Sequence, residues 1–131
     1  MYASARGAAA YRQTHVQSSS PLELVVLLYD GLLKHLAATR EAVDRNDLVA
    51  KRDHLSLTFA IVGELQSTLN MAQGGEIAVS LDALYTYVTD RLTDFNVRGE
   101  RGALDEVERL ITPLRDAWAE IATPRSAAAA R

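Results

Sequence analysis

The segment from Ser20 to Leu36 constrains the fold most, because it has more apolar side chains than one helix face can hold. Ser20 is suited to cap a helix, Pro21 to occupy the first helical position, and Glu23 to complete a capping box. On a helical wheel, one broad face collects Leu22, Val25, Val26, Tyr29, Leu32, Leu33 and Leu36. A second apolar group points away from it, beside Gly31: Leu24, Leu27 and Leu28. A helix at the edge of a small bundle needs one apolar face, so something must cover the second.

The composition is that of one folded domain and excludes several kinds of protein. The chain has 131 residues, 48% hydrophobic and 24% charged, which is too apolar for a disordered chain. It contains no cysteine, so a disulfide, a thiolate metal site and a cysteine nucleophile are excluded. The net charge of -3 and the scattered basic residues argue against a nucleic-acid partner. No apolar run is long enough to span a membrane, so we expect no membrane insertion. The first residues lack a signal-peptide core, so we do not expect secretion by that route.

Apolar periodicity predicts four long helices joined by short connections. We expect them over about residues 21–44, 48–73, 76–96 and 103–121, with Gly74-Gly75 ending the second helix and Pro113 kinking or breaking the fourth. Three apolar residues near helix ends fall on the predicted core faces: Leu48, Ile77 and Ile121. Short connections favour an all-α, antiparallel up-and-down four-helix bundle over residues 20–123. Residues 1–19 are interpreted as a flexible N-terminal arm and residues 124–131 as a disordered tail.

The sequence offers no catalytic or metal-binding pattern. His15, His35 and His54 stand one each in the arm and the first two helices, and no Glu-x-x-His motif of a bundle metal site occurs. His35 and His54 could meet between the helices, but solvated histidines are the favoured interpretation, and we expect no metal and no cofactor. No G-x-S-x-G, P-loop or G-x-G-x-x-G motif is present. The carboxylates near the start of the fourth helix suit the helix dipole better than a catalytic pair, so the chain is not predicted to be an enzyme.

Surplus apolar faces are the feature that points to a function. They recur on the first three helices, and the residues selected as candidate client-binding positions are Leu24, Leu28, Leu57, Ile61, Val79 and Tyr87. Two explanations stay open at this point. The helices can bury both sides by occupying central positions, or a groove between them can hold an amphipathic partner helix. Tyr11 and Val16 are candidate plugs through which the arm covers such a groove, with a plain tail as the alternative.

The chain resembles the flagellin-specific export chaperones, the FliS family, over nearly its whole length. The resemblance begins at Tyr11 and Val16 and is carried by Ser20-Pro21-Leu22-Glu23-Leu24, Leu28-Tyr29-Asp30-Gly31, Gly74-Gly75-Glu76-Ile77-Ala78, Leu84-Tyr85, Tyr87, Asn96 and Ala117-Trp118. It implies a cytoplasmic chaperone that binds the disordered C-terminal segment of flagellin, prevents premature polymerisation and aids delivery to the flagellar type III export apparatus. Reasoning from the residues alone leaves a second class open, a structural bundle without a client that self-associates, for example as a weak homodimer.

Overall fold

Four α-helices account for most of residues 20–123, the part of the chain that the computed structural model describes. They are α1 (Pro21–Asp44), α2 (Leu48–Ser67), α3 (Met71–Arg98) and α4 (Arg101–Ala122). No strand occurs within these residues. The arm and the tail predicted from the sequence lie outside the described residues. The all-α prediction is therefore confirmed for the described range.

Ion pairs between α1 and α4 establish the direction of the helices. Asp30, in the first half of α1, accepts a hydrogen bond of 2.6 Å from Arg115, near the end of α4. Asp44, at the end of α1, pairs with Arg101, at the start of α4. The two helices are thus antiparallel. Helix α1 packs against α2 and α4, and α3 packs against the same two helices, which closes the four-helix bundle.

The predicted start of α1 is confirmed. The Glu23 backbone N–H donates to the Ser20 hydroxyl at 3.1 Å, and the Ser20 N–H donates to the Glu23 carboxylate at 2.8 Å. Hydrogen bonding from Ser20 to the carboxylate, chiefly from its backbone N–H and secondarily from its side chain, favours the charged form and lowers the pKa of Glu23. Asp47 caps α2 in a similar way, accepting from the Ala50 N–H at 3.0 Å. Local sequence signals therefore fix where the first two helices begin.

The break at Gly74-Gly75 is real, but it interrupts α3 rather than ending α2. Helix α2 stops at Ser67, and Asn70 caps a new helical turn by accepting from the Gln73 N–H at 3.0 Å. Gly75 then adopts φ 54° and ψ -131°, which only glycine adopts without strain. The main body of α3 consequently begins at Glu76, where the sequence placed it.

Of the kink or break expected at Pro113, the break does not occur. Helix α4 runs continuously from Arg101 to Ala122 with Pro113 inside it. Proline removes one backbone donor, so the carbonyl one turn earlier, that of Arg109, loses its helical partner. Both residues are on the exposed side of α4, where water can satisfy that carbonyl. The helix thus tolerates a residue that would be far more disruptive on its buried side.

The core lies along the axis between all four helices. Its largest fully buried side chains are Tyr29, Tyr85, Phe95, Leu28, Leu32, Leu36, Ile61, Leu65, Leu92, Leu104, Ile111 and Val62. Every helix contributes, so none can be removed without opening the core. No buried side-chain polar atom in residues 20–123 lacks a hydrogen-bond partner. The buried side-chain polar groups of these residues are therefore all satisfied, and any surplus apolar surface lies outside the core.

Candidate client-binding surface

An apolar stripe runs along the outer side of α3. Val79, Ala83 and Tyr87 follow one another at four-residue spacing, which places them on one line of the helix surface, and all three are exposed. Val79 is 55% exposed and Tyr87 43% exposed. We call these three residues the α3 stripe. Two of its members, Val79 and Tyr87, were selected from the sequence.

A network of charged side chains holds Tyr87 in place. Its hydroxyl donates to the Glu106 carboxylate of α4 at 2.6 Å, and Arg91 donates to the same carboxylate at 2.7 Å. Arg91 also bonds Asp94 at 2.8 Å. The bond to Glu106 raises the pKa of Tyr87, and the bonds from Tyr87 and Arg91 lower the pKa of Glu106. The ring is therefore preorganised at the surface, which reduces the entropy lost when a partner packs on it.

Leu28 and Ile61 do not lie on a second apolar face. Leu28 is 0% exposed and Ile61 is 1% exposed, and both belong to the core. Both side chains pack into the core cluster to which all four helices contribute. Gly31, beside Leu28 on the helical wheel, is also buried. For Leu28, burial in the core therefore accounts for its place on the second apolar face.

Leu24 and Leu57 are half-buried, and they lie on α1 and α2 rather than beside the α3 stripe. Helices α1 and α3 occupy diagonal corners of the bundle, because each packs against α2 and α4. The six selected residues thus separate into a core pair, a half-buried pair and an exposed pair. They do not form one continuous site. Tyr11 and Val16 lie outside the described residues.

Sequence reasoning missed apolar side chains exposed at the two ends of the bundle. At the end where α1 and α3 begin, the exposed apolar residues are Leu22, Met71, Ile77 and Ile121. At the other end they are Leu48, Val49 and Val97. The helical wheel assigned several of these to core faces. A wheel gives the direction of a side chain but not its depth, and the last turn of a helix projects beyond its neighbours. Position within the terminal turn was the signal that would have identified them.

The expectation of separate, solvated histidines is wrong for His35 and His54. Their Nδ1 atoms are 2.9 Å apart across the α1–α2 interface, and the ring centroids are 5.1 Å apart. Burial lowers the pKa of His35, and the nearby His54 and Lys34 act in the same direction. Antiparallel packing brings together two residues that are 19 positions apart in the sequence.

The acidic and histidine side chains of residues 20–123 include no group of three or more that is placed to hold a metal ion. None of the four helices is long and apolar enough to cross a membrane. The carboxylates of α4 are used in ion pairs: Asp105 and Glu108 bind Arg40, and Glu106 binds Arg91.

The described residues thus form an antiparallel four-helix bundle with an apolar stripe exposed on α3. Comparison with known proteins identifies the family: a family model described as "Flagellar protein FliS" matches residues 3–125. The chain therefore belongs to the FliS family.

Several relatives named flagellar secretion chaperone FliS are similar along most of both chains. The Bacillus subtilis (strain 168) protein is 37% identical over 109 residues, covering 83% of this chain and 80% of its own. The Salmonella typhimurium (strain LT2) protein is 36% identical over 127 residues, covering 93% and 94%. The Escherichia coli (strain K12) protein is 35% identical over 125 residues, covering 92% and 91%. The similarity thus extends over the whole bundle rather than over one motif.

Proposed function

We propose that this protein is a flagellar secretion chaperone that binds the disordered C-terminal segment of flagellin. In this role it prevents premature polymerisation in the bacterial cytoplasm and aids delivery of the subunit to the flagellar type III export apparatus. Membership of the FliS family supports the chaperone role. The choice of flagellin as the client rests on the family resemblance of the sequence. The proposed chaperone role requires no enzymatic step.

The α3 stripe is the observation that carries the proposal. A monomeric bundle has no need of an exposed, aligned valine and a tyrosine fixed by Glu106. An amphipathic helix of the client can cover this stripe with its own apolar face. Full burial of a side chain such as that of Val79 contributes roughly 1.5–3 kcal/mol, so covering its exposed half contributes about 1 kcal/mol. Several such contacts are required, because the client loses conformational entropy as it folds.

Leu24 and Leu57 provide a second, weaker contact region between α1 and α2. Their half-buried side chains leave some apolar area to cover. A folded partner would have difficulty reaching both this region and the α3 stripe. A disordered segment can wrap across several helices, because its helices are formed only on binding. The separation of the two regions therefore favours a disordered client over a globular one.

The N-terminal arm is proposed to cover part of this surface when the client is absent. Tyr11 and Val16 supply the apolar side chains, and the tether gives them a high effective concentration near α1. A cover of this kind limits aggregation through exposed apolar surface. It must also be displaced by the client, so arm and client compete.

Calorimetric titration with the C-terminal segment of flagellin tests the proposal. Val79→Asp introduces a charge into the α3 stripe, and we expect it to weaken binding at least tenfold, about 1.4 kcal/mol. Thr93→Asp is the matched control, because it adds the same charge to an exposed position of α3 outside the stripe. It should bind like the unmodified protein. Equal affinities for the two variants would place the client elsewhere, and no binding by the unmodified protein would exclude flagellin.

The alternative is a bundle that covers its apolar surface by self-association. Light scattering separates the two functions. A stable dimer that does not respond to the flagellin segment supports self-association. A monomer, or a weak homodimer that dissociates as the segment binds, supports the chaperone.

A further inference from the structure

The end of the bundle where α2 and α4 begin carries an apolar patch that no part of residues 20–123 covers. Leu48 and Val97 are each 73% exposed, and Val49 is 59% exposed. Leu48 and Val49 belong to the first turn of α2, and Val97 to the last turn of α3. The two turns are neighbours, because the Lys51 Nζ of α2 lies 5.2 Å from the centre of the Phe95 ring of α3. We call Leu48, Val49 and Val97 the end patch.

The charges around the end patch balance, unlike those of the rest of the bundle. All 17 acidic residues of the chain, but only ten of its 14 basic ones, lie in residues 20–123. Residues 44–53 and 94–101, which surround the patch, contain basic and acidic residues in equal number. The remaining surface of the bundle is therefore acidic. Two copies of the chain repel each other through that surface but not through their patch ends.

Several ion pairs at this end are loose and can be exchanged for pairs with another molecule. The Arg98 guanidinium lies 3.8 Å from the Asp94 carboxylate and 3.7 Å from that of Glu100, and Arg45 lies 3.8 Å from Asp47. Solvated pairs of this kind contribute little to the stability of a single chain. A partner that presents both signs of charge can therefore be accepted with little loss.

The helix ends around the patch alternate in the sign of their dipoles. Helices α1 and α3 end there with carbonyl groups of partial negative charge, and α2 and α4 begin there with N–H groups of partial positive charge. A second copy can face this end across a two-fold axis. An axis along a diagonal of the bundle brings like helix ends together, whereas an axis midway between neighbouring helices brings opposite ends together. Electrostatic complementarity therefore selects the second kind of axis.

The apolar residues decide between which neighbouring helices the axis passes. An axis midway between α2 and α3 places Leu48 and Val49 of one copy against the partner's Val97, and the reverse contact is made by symmetry. It also places Asp44 of α1 opposite the partner's Arg101 on α4, two residues that already pair within one chain. An axis midway between α1 and α2 would set the apolar residues against charged turns instead.

We propose that the end patch is a self-association surface, at which two copies of this chain meet end to end across a two-fold axis midway between α2 and α3. Four helices, each about 10 Å across, give an end of roughly 400 Å² per copy. This is about half of what a stable interface buries on each partner, so the dimer is weak and forms at high micromolar concentration. The α3 stripe stays free, and each chain of the dimer can hold its own client.

Sedimentation velocity of the full chain, from low micromolar to millimolar concentration, tests this surface. We expect a reversible rise toward twice the monomer mass, and Leu48→Asp and Val97→Asp should each weaken association at least tenfold. Ile77→Asp is the matched control, because it adds the same charge to a side chain that is 70% exposed at the opposite end. It should associate like the unmodified chain. A full chain that stays monomeric at millimolar concentration overturns the proposal, as does an equal effect of Ile77→Asp.

Cysteine cross-linking tests the two-fold arrangement, since the chain has no cysteine of its own. A mixture of Leu48→Cys and Val97→Cys should form a disulfide-linked dimer faster than either variant alone. Packed helices lie about 8–10 Å apart, so identical positions across the proposed axis are too distant for a disulfide. Faster cross-linking of either variant with itself than with the other overturns this arrangement.

Other occupants of the end patch give different results. If the arm covers it, a chain without residues 1–17 dimerises through Leu48 and the full chain does not. If the flagellin segment covers it, Leu48→Asp weakens binding of that segment in calorimetry, and the segment dissociates the dimer. Each of these results overturns the proposal. We expect instead that the segment adds its mass to the dimer and that Leu48→Asp binds it like the unmodified chain.

Discussion

The hydroxyl groups of Tyr29 on α1 and Tyr85 on α3 meet at 2.5 Å in the middle of the bundle. They connect the two helices that lie on a diagonal and share no extensive packing. Trp118 of α4 joins them by donating its indole N–H to the Tyr29 oxygen at 3.2 Å. Burial raises the pKa of both tyrosines, so both remain neutral. These buried side chains serve as hydrogen-bond partners for one another, and they thereby hold α1, α3 and α4 in one register.

The two tyrosines should differ in their importance for stability. Tyr85→Phe removes one hydrogen bond and leaves Tyr29 bonded to Trp118, so we expect a loss of about 1 kcal/mol. Tyr29→Phe deprives both Tyr85 and Trp118 of their partner, and we expect a loss of about 1–3 kcal/mol. Urea unfolding of the two variants measures the difference. The double variant should lose less than the sum, and a larger loss for Tyr85→Phe would contradict the network.

His35 should make the free energy of unfolding depend on pH in the mildly acidic range. Its pKa in the folded protein is below the ordinary value of 6.5, chiefly because of burial and secondarily because of His54 and Lys34. The unfolded chain therefore binds more protons at this residue, and the stability it contributes is lost as pH falls below about 6.5.

Urea unfolding at a series of pH values between about 7 and 5 measures this effect. His35→Gln should flatten the curve in that window, while His15→Gln should leave its slope unchanged. A curve for His35→Gln that runs parallel to that of the unmodified protein would show that His35 titrates normally. The window lies above the range in which most carboxylates titrate, so their contribution is small.

Two glycines should respond to alanine substitution in opposite directions. Gly63 is helical and exposed, and a methyl group there would meet nothing within 4 Å. Gly63→Ala should therefore stabilise the protein by about 0.5–1 kcal/mol. Gly75 also has open space around it, but its φ of 54° disfavours any side chain. Gly75→Ala should destabilise the start of α3, with a strain of about 1–3 kcal/mol. Equal effects in chemical unfolding would show that the bend at Gly75 relaxes freely.

The fold class and the starts of the first two helices could be predicted from the sequence, because the signals for them are local and need no contact with another helix. The Ser20 capping box and the Asp47 cap act within one turn, so the sequence alone locates them. The candidate site was harder to predict from the sequence, because it depends on which side of each helix is covered by another helix. The sequence marks both Leu28 and Val79 as surplus apolar residues, yet the first is fully buried in the core and the second stays exposed among residues 20–123. The pairs Tyr29–Tyr85 and His35–His54 depend on the register between helices, which periodicity within one helix does not contain.

Deletion of residues 1–17 tests whether the arm is a cover. The deletion keeps Ser20 and Glu23, so the capping box and α1 should form normally. If Tyr11 and Val16 cover apolar surface, their removal exposes it, and light scattering should show more self-association. Because a tethered cover competes with the client, monomers of the shortened chain should bind the flagellin segment at least as tightly as the full chain.

Tyr11→Ser combined with Val16→Ser should reproduce both effects without shortening the chain. If the deletion alters neither self-association nor affinity, the arm is only a tail. Weaker binding after deletion, with unchanged self-association, would show instead that the arm contacts the client directly.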